Sequence, residues 1–504
     1  MSNAIEKRYG VERDIGTGTE GSGNSDLGSG SIEQQYRPSR RGIKGFYYNP
    51  VVQVWLLGFV CFMCPGLFNA LNGLGGGGQL DPTTSANANS ALYSTFAFFA
   101  FFAGSINNVL GSRLTLLLGS IGYALYIASY LVVNIHPHAE GFVIGAGAIL
   151  GICAGMLWTA QGSLMLGYPT EQEKGKFIGI FWSVFNLGSV VGASVSLGRN
   201  WHSTANQVDN GTYIGFLILT SMGVAIPFLM ADPNKMVRND GSKVTAPRHP
   251  SWRTEFWGLW VALKTDPYIV LLFPMFFASN WFYTWQFNDF NAALFNIRTR
   301  SLNNLVYWLA QIIGSVCMGF LLDQRGLSRR VRAFSGWCVL LVMVLVVHIW
   351  AFFYQKQYTR ETVEEPEARI DIFDHAYIGR VLFYIVCGLL DAMWQTCAYW
   401  LMGAMSNDPG KLAHFTGFYK SIQSAGAAGV WRADAVGIPY MNMFISTWAL
   451  LLAGLLGSLP MIHMRVRDYT EMDEMRLESN PTIHDAPESE YRPNLKLESR
   501  SQTR

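Results

Sequence analysis

Charge is what this sequence has least of. Of 504 residues only 14% are Asp, Glu, Lys or Arg, against about a quarter in soluble domains. The deficit is concentrated, because the charges gather in the tails and loops. A formal net charge of +2 gives no basic surface for nucleic acid, so no nucleic-acid partner is expected. No loop carries a cysteine: Cys61, Cys64, Cys153, Cys317, Cys338, Cys387 and Cys397 all fall in apolar segments. That excludes a disulfide framework. Cys61 and Cys64 form a CxxC, but a metal site needs further soft ligands nearby, and no metal or cofactor is expected. Residues 1–40 are polar, without the apolar core of a cleavable signal peptide. No GxSxG occurs, and histidines and carboxylates do not cluster within the apolar segments, so no catalytic residues and no enzyme are expected. Gly73, Gly75 and Gly78 satisfy GxGxxG, but no strand precedes them and no phosphate-binding helix follows, which removes the dinucleotide reading.

What is present is apolar length. A membrane-spanning helix needs about 20 mainly apolar residues. Twelve stretches qualify: roughly 51–72, 89–109, 114–134, 141–164, 175–197, 212–230, 267–287, 301–322, 333–354, 377–402, 413–431 and 440–463. Several contain Gly or Pro, such as Pro65 and Pro274, which membrane helices tolerate. The expected fold is an all-α, multi-pass membrane protein with twelve transmembrane helices in two six-helix pseudo-repeats.

Basic residues orient the chain. With the N-terminus in the cytoplasm, Arg37, Arg40, Arg41, Lys44, Arg113, Lys174, Lys176, Lys235, Arg238, Lys243, Arg248, Arg253 and Lys264 lie inside. So do Arg325, Arg329, Arg330, Arg332, Lys411, Arg465 and Arg467. Outer loops hold only Arg199, Arg298, Arg300, Lys356, Arg360, Arg369 and Arg432. Both termini are therefore expected in the cytoplasm. The organisation reads as a disordered tail (1–44), a first helical half (45–230), a polar linker with Pro233, Pro247 and Pro250 (231–266), a second half (267–464) and a second disordered tail (465–504). The acidic outer loop 355–376, with Glu361, Glu364, Glu365 and Glu367, reads as a solvated loop. The sequon Asn210-Gly211-Thr212 falls outside, so Asn210 is a candidate glycosylation site that abuts a helix.

Two inner loops repeat. Gly104, Asn108, Gly111 and Arg113 recur six helices later as Gly319, Asp323, Gly326 and Arg329. Phe177-x-Gly179 recurs as Phe415-x-Gly417. Such parallel repeats build the two halves of major facilitator transporters. The first loop resembles the GxxxDxxGxR-type motif of that superfamily, whose acid and basic residues bind helix ends and lock the cytoplasmic gate. By that resemblance these eight loop residues are gating residues. Asn108 replaces the usual acid, and an amide can cap a helix but not hold a charge pair.

Two stretches narrow the resemblance. One runs Gly66-Leu67-Phe68-Asn69-Ala70-Leu71-Asn72-Gly73-Leu74 and ends in four further glycines and Gln79. The other comprises Trp158-x-x-Gln161-Gly162, Tyr168-Pro169-Thr170-Glu171, Lys174-Gly175 and Phe181-Trp182. Together they resemble the UNC-ninety-three-like branch, which includes fungal membrane proteins long filed under a domain of unknown function. The resemblance is strongest over 45–230 and collinear beyond. It implies either a transporter or, as for a potassium-channel regulator and a receptor escort in that branch, a partner membrane protein.

Ionisable groups inside a membrane are costly, about 2.5–3.5 kcal/mol each on insertion scales. Asp391 lies roughly 15 Å, and Lys420 roughly 12 Å, from the inner end of its helix at 1.5 Å per residue. These depths predict a salt bridge, read either as a proton- or cation-coupling pair or as a static packing contact. A solute cavity is expected from Asn69, Asn72, Trp158, Gln161 and Asn186 in the first half. In the second half it takes Trp281, Gln286, Gln311, Trp394, Gln395, Tyr399 and Gln423. Apolar walls with a few convergent polar groups are what a small-molecule site needs; for any single residue the competing role is an interhelical hydrogen bond. Gly188, Gly192, Gly426 and Gly429 need only a packing role, and His348 a structural or lipid-interfacial one. The expected function is transport of a small, partly apolar organic solute by alternating access, with proton coupling resting on Asp391. The alternative is a non-transporting regulator or escort. Membrane lipid is a partner in either case, in the plasma membrane or an endomembrane.

Overall fold

The computed structural model describes residues 42–79, 81–168, 174–233, 236, 257, 260–261, 263–324, 326–363, 369–405 and 409–467. The chain parts into Met1–Pro38 and Ser39–Arg504, and the described residues all lie in the second unit. Almost all of the expected tails, and most of the linker with its basic residues, lie outside the description.

Helices dominate, and among the described residues the β structure is one isolated parallel bridge, Phe295 to Ile370. Helix α1 spans Pro50–Gly73. Asn49 caps it by accepting from the Val51 amide at 2.9 Å, and Pro50 occupies the first position, where its missing N–H costs nothing. A π turn, Phe62–Gly66, interrupts it around Pro65. Then follow α2 (Thr83–Leu110), α3 (Ser112–Ile135), α4 (Glu140–Gly167), α5 (Lys174–Asn200) and α6 (Asn210–Leu229). The segment α7 (267–292) is broken into a 3-10 turn (Pro267–Leu272), two short helical pieces (Phe273–Ala278 and Phe282–Thr284) and a π turn (Trp285–Ala292). Next come α8 (Ile297–Leu322), α9 (Arg329–Gln355), α10 (Tyr377–Met405), α11 (Pro409–Ala435) and α12 (Tyr440–Arg465).

Among the described residues nine helices are long and apolar enough to cross a membrane: α1, α3, α4, α5, α6, α8, α9, α10 and α12. The other three expected spans are helical but fall outside that set. Helix α2 opens on a polar run from Thr83 to Ser90, α7 is broken, and α11 carries Lys411, Lys420 and Arg432. The large apolar side chains exposed on the bundle include Phe320, Leu456, Phe228, Ile218 and Ile313, while Asn288, Asp289, Asn303, Asn304 and Asp391 are buried. That inside-out distribution suits hydrocarbon surroundings, where polar groups must be satisfied within the protein.

Close approach through glycine fixes the packing. A Cβ on Gly188 of α5 would stand 2.2 Å from the Phe62 carbonyl of α1, and one on Gly192 2.6 Å from Ala70. On α11 a Cβ at Gly426 would stand 2.3 Å from the Phe277 carbonyl, whereas Gly429 has ordinary space beside Trp281. Helix α11 packs on α2, and α8 on α5, joining α1–α6 to α7–α12. At the end near the termini, Arg113 donates to the Phe228 carbonyl at 2.8 Å, and Arg465 to Asp266 at 2.8 Å and to the Met405 carbonyl. His348 is buried, stacked on Phe444 and Trp448, with Nδ1 2.8 Å from the Val344 carbonyl, which makes it a packing residue rather than a lipid-facing one.

Gly188→Val is expected to push α1 off α5 and destabilise the bundle by about 1–3 kcal/mol, the usual cost of overpacking. A lower unfolding midpoint in detergent checks this; an unchanged midpoint contradicts the close approach.

Candidate functional site

The Asp391 carboxylate is buried on α10 and surrounded by donors. Tyr307 of α8 donates its hydroxyl at 3.0 Å, Gln395 its amide at 2.8 Å, and Gln311 of α8 also donates. Gln286 of α7 lies 2.7 Å from the Tyr307 hydroxyl, and Gln395 also donates to the Tyr283 hydroxyl at 3.0 Å. Asp391 thus joins α7, α8 and α10 in one network.

Lys420 does not pair with Asp391, contrary to the expected salt bridge. Its ammonium donates to Gln423 at 3.1 Å and faces three rings: Tyr419 at 5.2 Å, Trp158 at 5.4 Å and Tyr399 at 5.7 Å from their centroids. Such contacts contribute roughly 0.5–2 kcal/mol each. The expectation rested on equal depth along two helices. Depth does not fix direction around the axis: Asp391 points at α8, while Lys420 points across at α4. Trp182 of α5 extends the aromatic wall, edge-on to Tyr399 at 5.9 Å and stacked on Trp158.

The other expected cavity residues divide. Gln286, Gln311 and Gln395 join Asp391, and Tyr399 and Gln423 join Lys420, with Gln423 also donating to Asn280 at 2.8 Å. Trp158 completes the aromatic wall. Gln161 contacts the Met165 sulfur at 3.2 Å, and Asn72 accepts from Asn89 at 3.3 Å, so both serve contacts within α1–α6. Asn69 and Asn186 are half-buried. Trp281 bonds Ser446 of α12 at 3.0 Å, and Trp394 bonds Ser279 of α7 at 3.1 Å against Gly454; both turn toward α12, away from the Asp391 network. Tyr283, Tyr307, Asn280 and Tyr419 were missed. Their signal was polar hydroxyls and amides at helical spacing with Gln286, Gln311 and Gln423.

The repeated loops are only partly described. The surroundings of Gly104 and the side chain of Asn108 lie outside what is described. Gly111 has φ +78° between α2 and α3, a left-handed conformation that glycine adopts freely. In the second loop Asp323 is exposed at the end of α8, Gly319 and Gly326 have open space, and Arg329 opens α9. The basic side chains that reach helix ends there are Arg332, donating to the Leu322 carbonyl at 2.9 Å, and Arg330, 2.7 Å from His463 of α12. Asn210 is exposed, and its side chain accepts from Asn134 at 2.7 Å; the sequon hydroxyl of Thr212 is buried and donates to Asp209 at 2.8 Å.

At the end remote from the termini the two groups of helices are latched together. Arg300 of α8, expected in a loop, is 1% exposed and donates to the carbonyls of Leu74 at 2.8 Å, Asn206 at 2.7 Å and Gly75. Asn288 accepts from the Gly76 amide at 2.7 Å, Asn291 donates to the Gly73 carbonyl at 3.0 Å, and Asn304 to the Ala70 carbonyl at 2.6 Å. Beside this latch, Arg298 pairs with Asp371. Burial alone would raise the Asp371 carboxyl, but Arg298 and the Ile372 amide hold it below the ordinary carboxylate value.

A family model described as ion channel regulatory protein UNC-93 matches residues 78–456. A UNC93-like protein of Schizosaccharomyces pombe is 47% identical over 444 residues, 88% of each chain. UNC93-like protein 1 of Arabidopsis thaliana is 42% identical over 430 residues, 85% of this chain and 92% of that one. Among solved structures, a D-xylose-proton symporter superposes with a TM-score of 0.53 at 13% identity, over 83% of this chain and 97% of the other. A nucleoside transporter gives 0.56 at 13% identity, over 82% and 100%. At such identities the likeness shows the fold, that of major facilitator transporters. Family and fold point to a membrane transporter or regulator rather than an enzyme.

Asp391→Leu is expected to leave buried Gln311 without an acceptor, at about 1–3 kcal/mol, to remove one partner each from Tyr307 and Gln395, and to lower the unfolding midpoint more than Lys420→Met. Asp371→Asn is expected to destabilise at neutral pH only. A depressed carboxyl contributes above the unfolded value of about 4, and that contribution is lost as pH falls through the lower folded value. Stability curves that stay apart in acid would contradict it.

Proposed function

The chain belongs to the UNC-93 family, and from that premise we propose that this integral, multi-pass membrane protein is a solute carrier. In this reading twelve spans form two six-helix pseudo-repeats with both termini cytoplasmic, and α1–α6 rock against α7–α12 around a central site. The observation that carries it is the polar and aromatic cluster on α7, α8, α10 and α11 facing the aromatic wall of α4 and α5. Asp391 supplies a carboxylate held by neutral donors, Lys420 a cation framed by rings, and Trp158, Trp182 and Tyr399 flat apolar surface. These surroundings suit a small organic solute with an apolar body and one or two polar groups. Asp391 is the candidate for proton or cation coupling, engaging Lys420 in a different access state. The loop residues Gly104, Asn108, Gly111, Arg113, Gly319, Asp323, Gly326 and Arg329 are proposed to serve the gate near the termini.

The description of the family model as ion channel regulatory supports a second reading, a non-transporting partner of another membrane protein. Purification in mild detergent followed by mass spectrometry of everything retained separates the two. A recurrent small molecule, lost in Asp391→Asn with the fold intact, is the expected result. A stoichiometric membrane protein and no bound solute would replace transport with the regulatory reading.

A further inference from the structure

Near the latch, three charged side chains meet with their charges unbalanced. Asp289, in the π turn of α7, is fully buried, and neither of its carboxyl oxygens has a hydrogen-bond donor. Asp434 at the end of α11 is also buried, and meets Asp289 at a shared guanidinium. One guanidinium serves both: Arg360 bonds Asp434 at 2.5 Å and stands 3.6 Å from Asp289. Two carboxylates against one cation leave a single negative charge in a buried place. The remaining ionisable groups facing it do not supply the missing positive charge. Tyr358 and Tyr440 are neutral phenols, and Arg360 lies 4.3 Å over the Tyr440 ring. Arg380 turns to Gln357 and the Tyr354 ring, Arg369 donates to the Ala292 and Ala293 carbonyls, and Lys356 lies over the Phe353 ring.

A separate observation marks the same place as a site. A cavity of about 160 Å³ adjoins it, lined among others by Arg360, Tyr358, Tyr440, Lys356 and Glu361. The Tyr358 hydroxyl, buried in that lining, has no hydrogen-bond partner. Arg360, which bonds Asp434, forms part of the cavity wall, while the two carboxyls lie behind it.

We infer that Asp289 and Asp434 form a proton-binding pair that controls the latch between α1–α6 and α7–α12. A carboxylate with no donors is costly to bury, and two carboxylates sharing a site do not both ionise. With one proton bound, the Asp289 hydroxyl donates to Asp434 and the cluster is neutral. The link to the latch is direct. Asp434 accepts a 2.7 Å bond from Asn288, and the same Asn288 accepts from the Gly76 amide across the interface. Loss of the proton sets two anions against each other. Arg360 is then drawn toward Asp289, Asp434 shifts, and Asn288 is pulled from Gly76. Proton binding therefore favours the latched state. The protonation itself does not depend on the protein being a carrier; only its use in transport rests on that reading.

Infrared difference spectra of the full-length protein in lipid nanodiscs, titrated from neutral to alkaline pH, test the pair. Wild type is expected to show a protonated-carboxyl stretch that is missing in Asp289→Asn, present in Asp391→Asn, and shifted in Asp434→Asn. Spin labels on Thr204→Cys and Gln357→Cys, with Cys317 and Cys338 replaced by Ser, then read the latch. Their distance distribution is expected to broaden at alkaline pH in wild type and to stay narrow in Asp289→Asn. A wild-type spectrum without a protonated carboxyl at neutral pH overturns the inference even if no variant folds. So does an unchanged band in Asp289→Asn, a sodium-dependent signal in its place, or a distance that ignores pH. The expected spectra and distances in a protein that moves no solute would keep the proton site and remove the carrier reading.

Discussion

Arg300 is the interaction on which the latched end depends. A guanidinium that is 1% exposed, with no carboxylate bonded to it, must find its acceptors in backbone carbonyls. Those of Leu74 and Gly75 are available only because α1 stops at Gly73 and the chain turns out of helical geometry. Gly75 has φ +74°, and a Cβ there would lie 2.0 Å from the Phe287 carbonyl. The glycine run after α1, the asparagines that receive it and the buried arginine are therefore one solution to one requirement. Bonds to a charged group contribute about 1.5–3 kcal/mol apiece, and losing them leaves an unpaired buried charge.

The position of that requirement shapes the rest. Hydrogen bonds joining α1–α6 to α7–α12 run at this end and in the middle of the bundle. Those in the middle run from Ser90 to the Ala428 carbonyl and from Ser421 to the Ala97 carbonyl. Toward the termini, the described bonds of Arg113, Arg465 and Arg330 stay within one group of helices. The two groups of helices are thus pinned to each other at this end and at mid-height. The aromatic contact of Trp182 with Tyr399 bridges the groups at the level of the central cluster.

Much of this was legible in the chain. Apolar length placed the helices, because hydrocarbon imposes a repeat length that soluble cores do not. Asp391, Gln311, Gln395 and Gln423 stood out because polar residues are rare in such segments. What was not legible was direction and irregular backbone. Equal depth suggested an Asp391–Lys420 pair, but each side chain faces a different neighbour around its helix. Trp281 and Trp394 were counted with the cavity as aromatic residues at cavity-facing positions, yet they turn to the seam with α12. Arg300 looked like a loop residue because it sits in the first turn of α8; its burial comes from the glycine turn, a partner more than two hundred positions away. The π turn of α7 left no trace in periodicity, since all eight of its residues are buried.

That π turn explains how two carboxyls of the same type acquire opposite surroundings. An α-helix shows each neighbour only one stripe, so Gln286, Asn288, Asp289 and Asn291 would point several ways, some into lipid. The wider turn keeps all four inside, and such turns recur at functional sites. Gln286 then reaches the Tyr307 hydroxyl that holds Asp391, while Asn288 and Asp289 meet Asp434 and the glycine turn. Asp391 receives three donors and is furnished to carry a charge; Asp289 receives none and is furnished to hold a proton. Both rest on one short, irregular piece of backbone. A displacement of α7 that releases Asn288 from Gly76 must therefore also move Gln286 against Tyr307, which ties the latch mechanically to the central carboxylate.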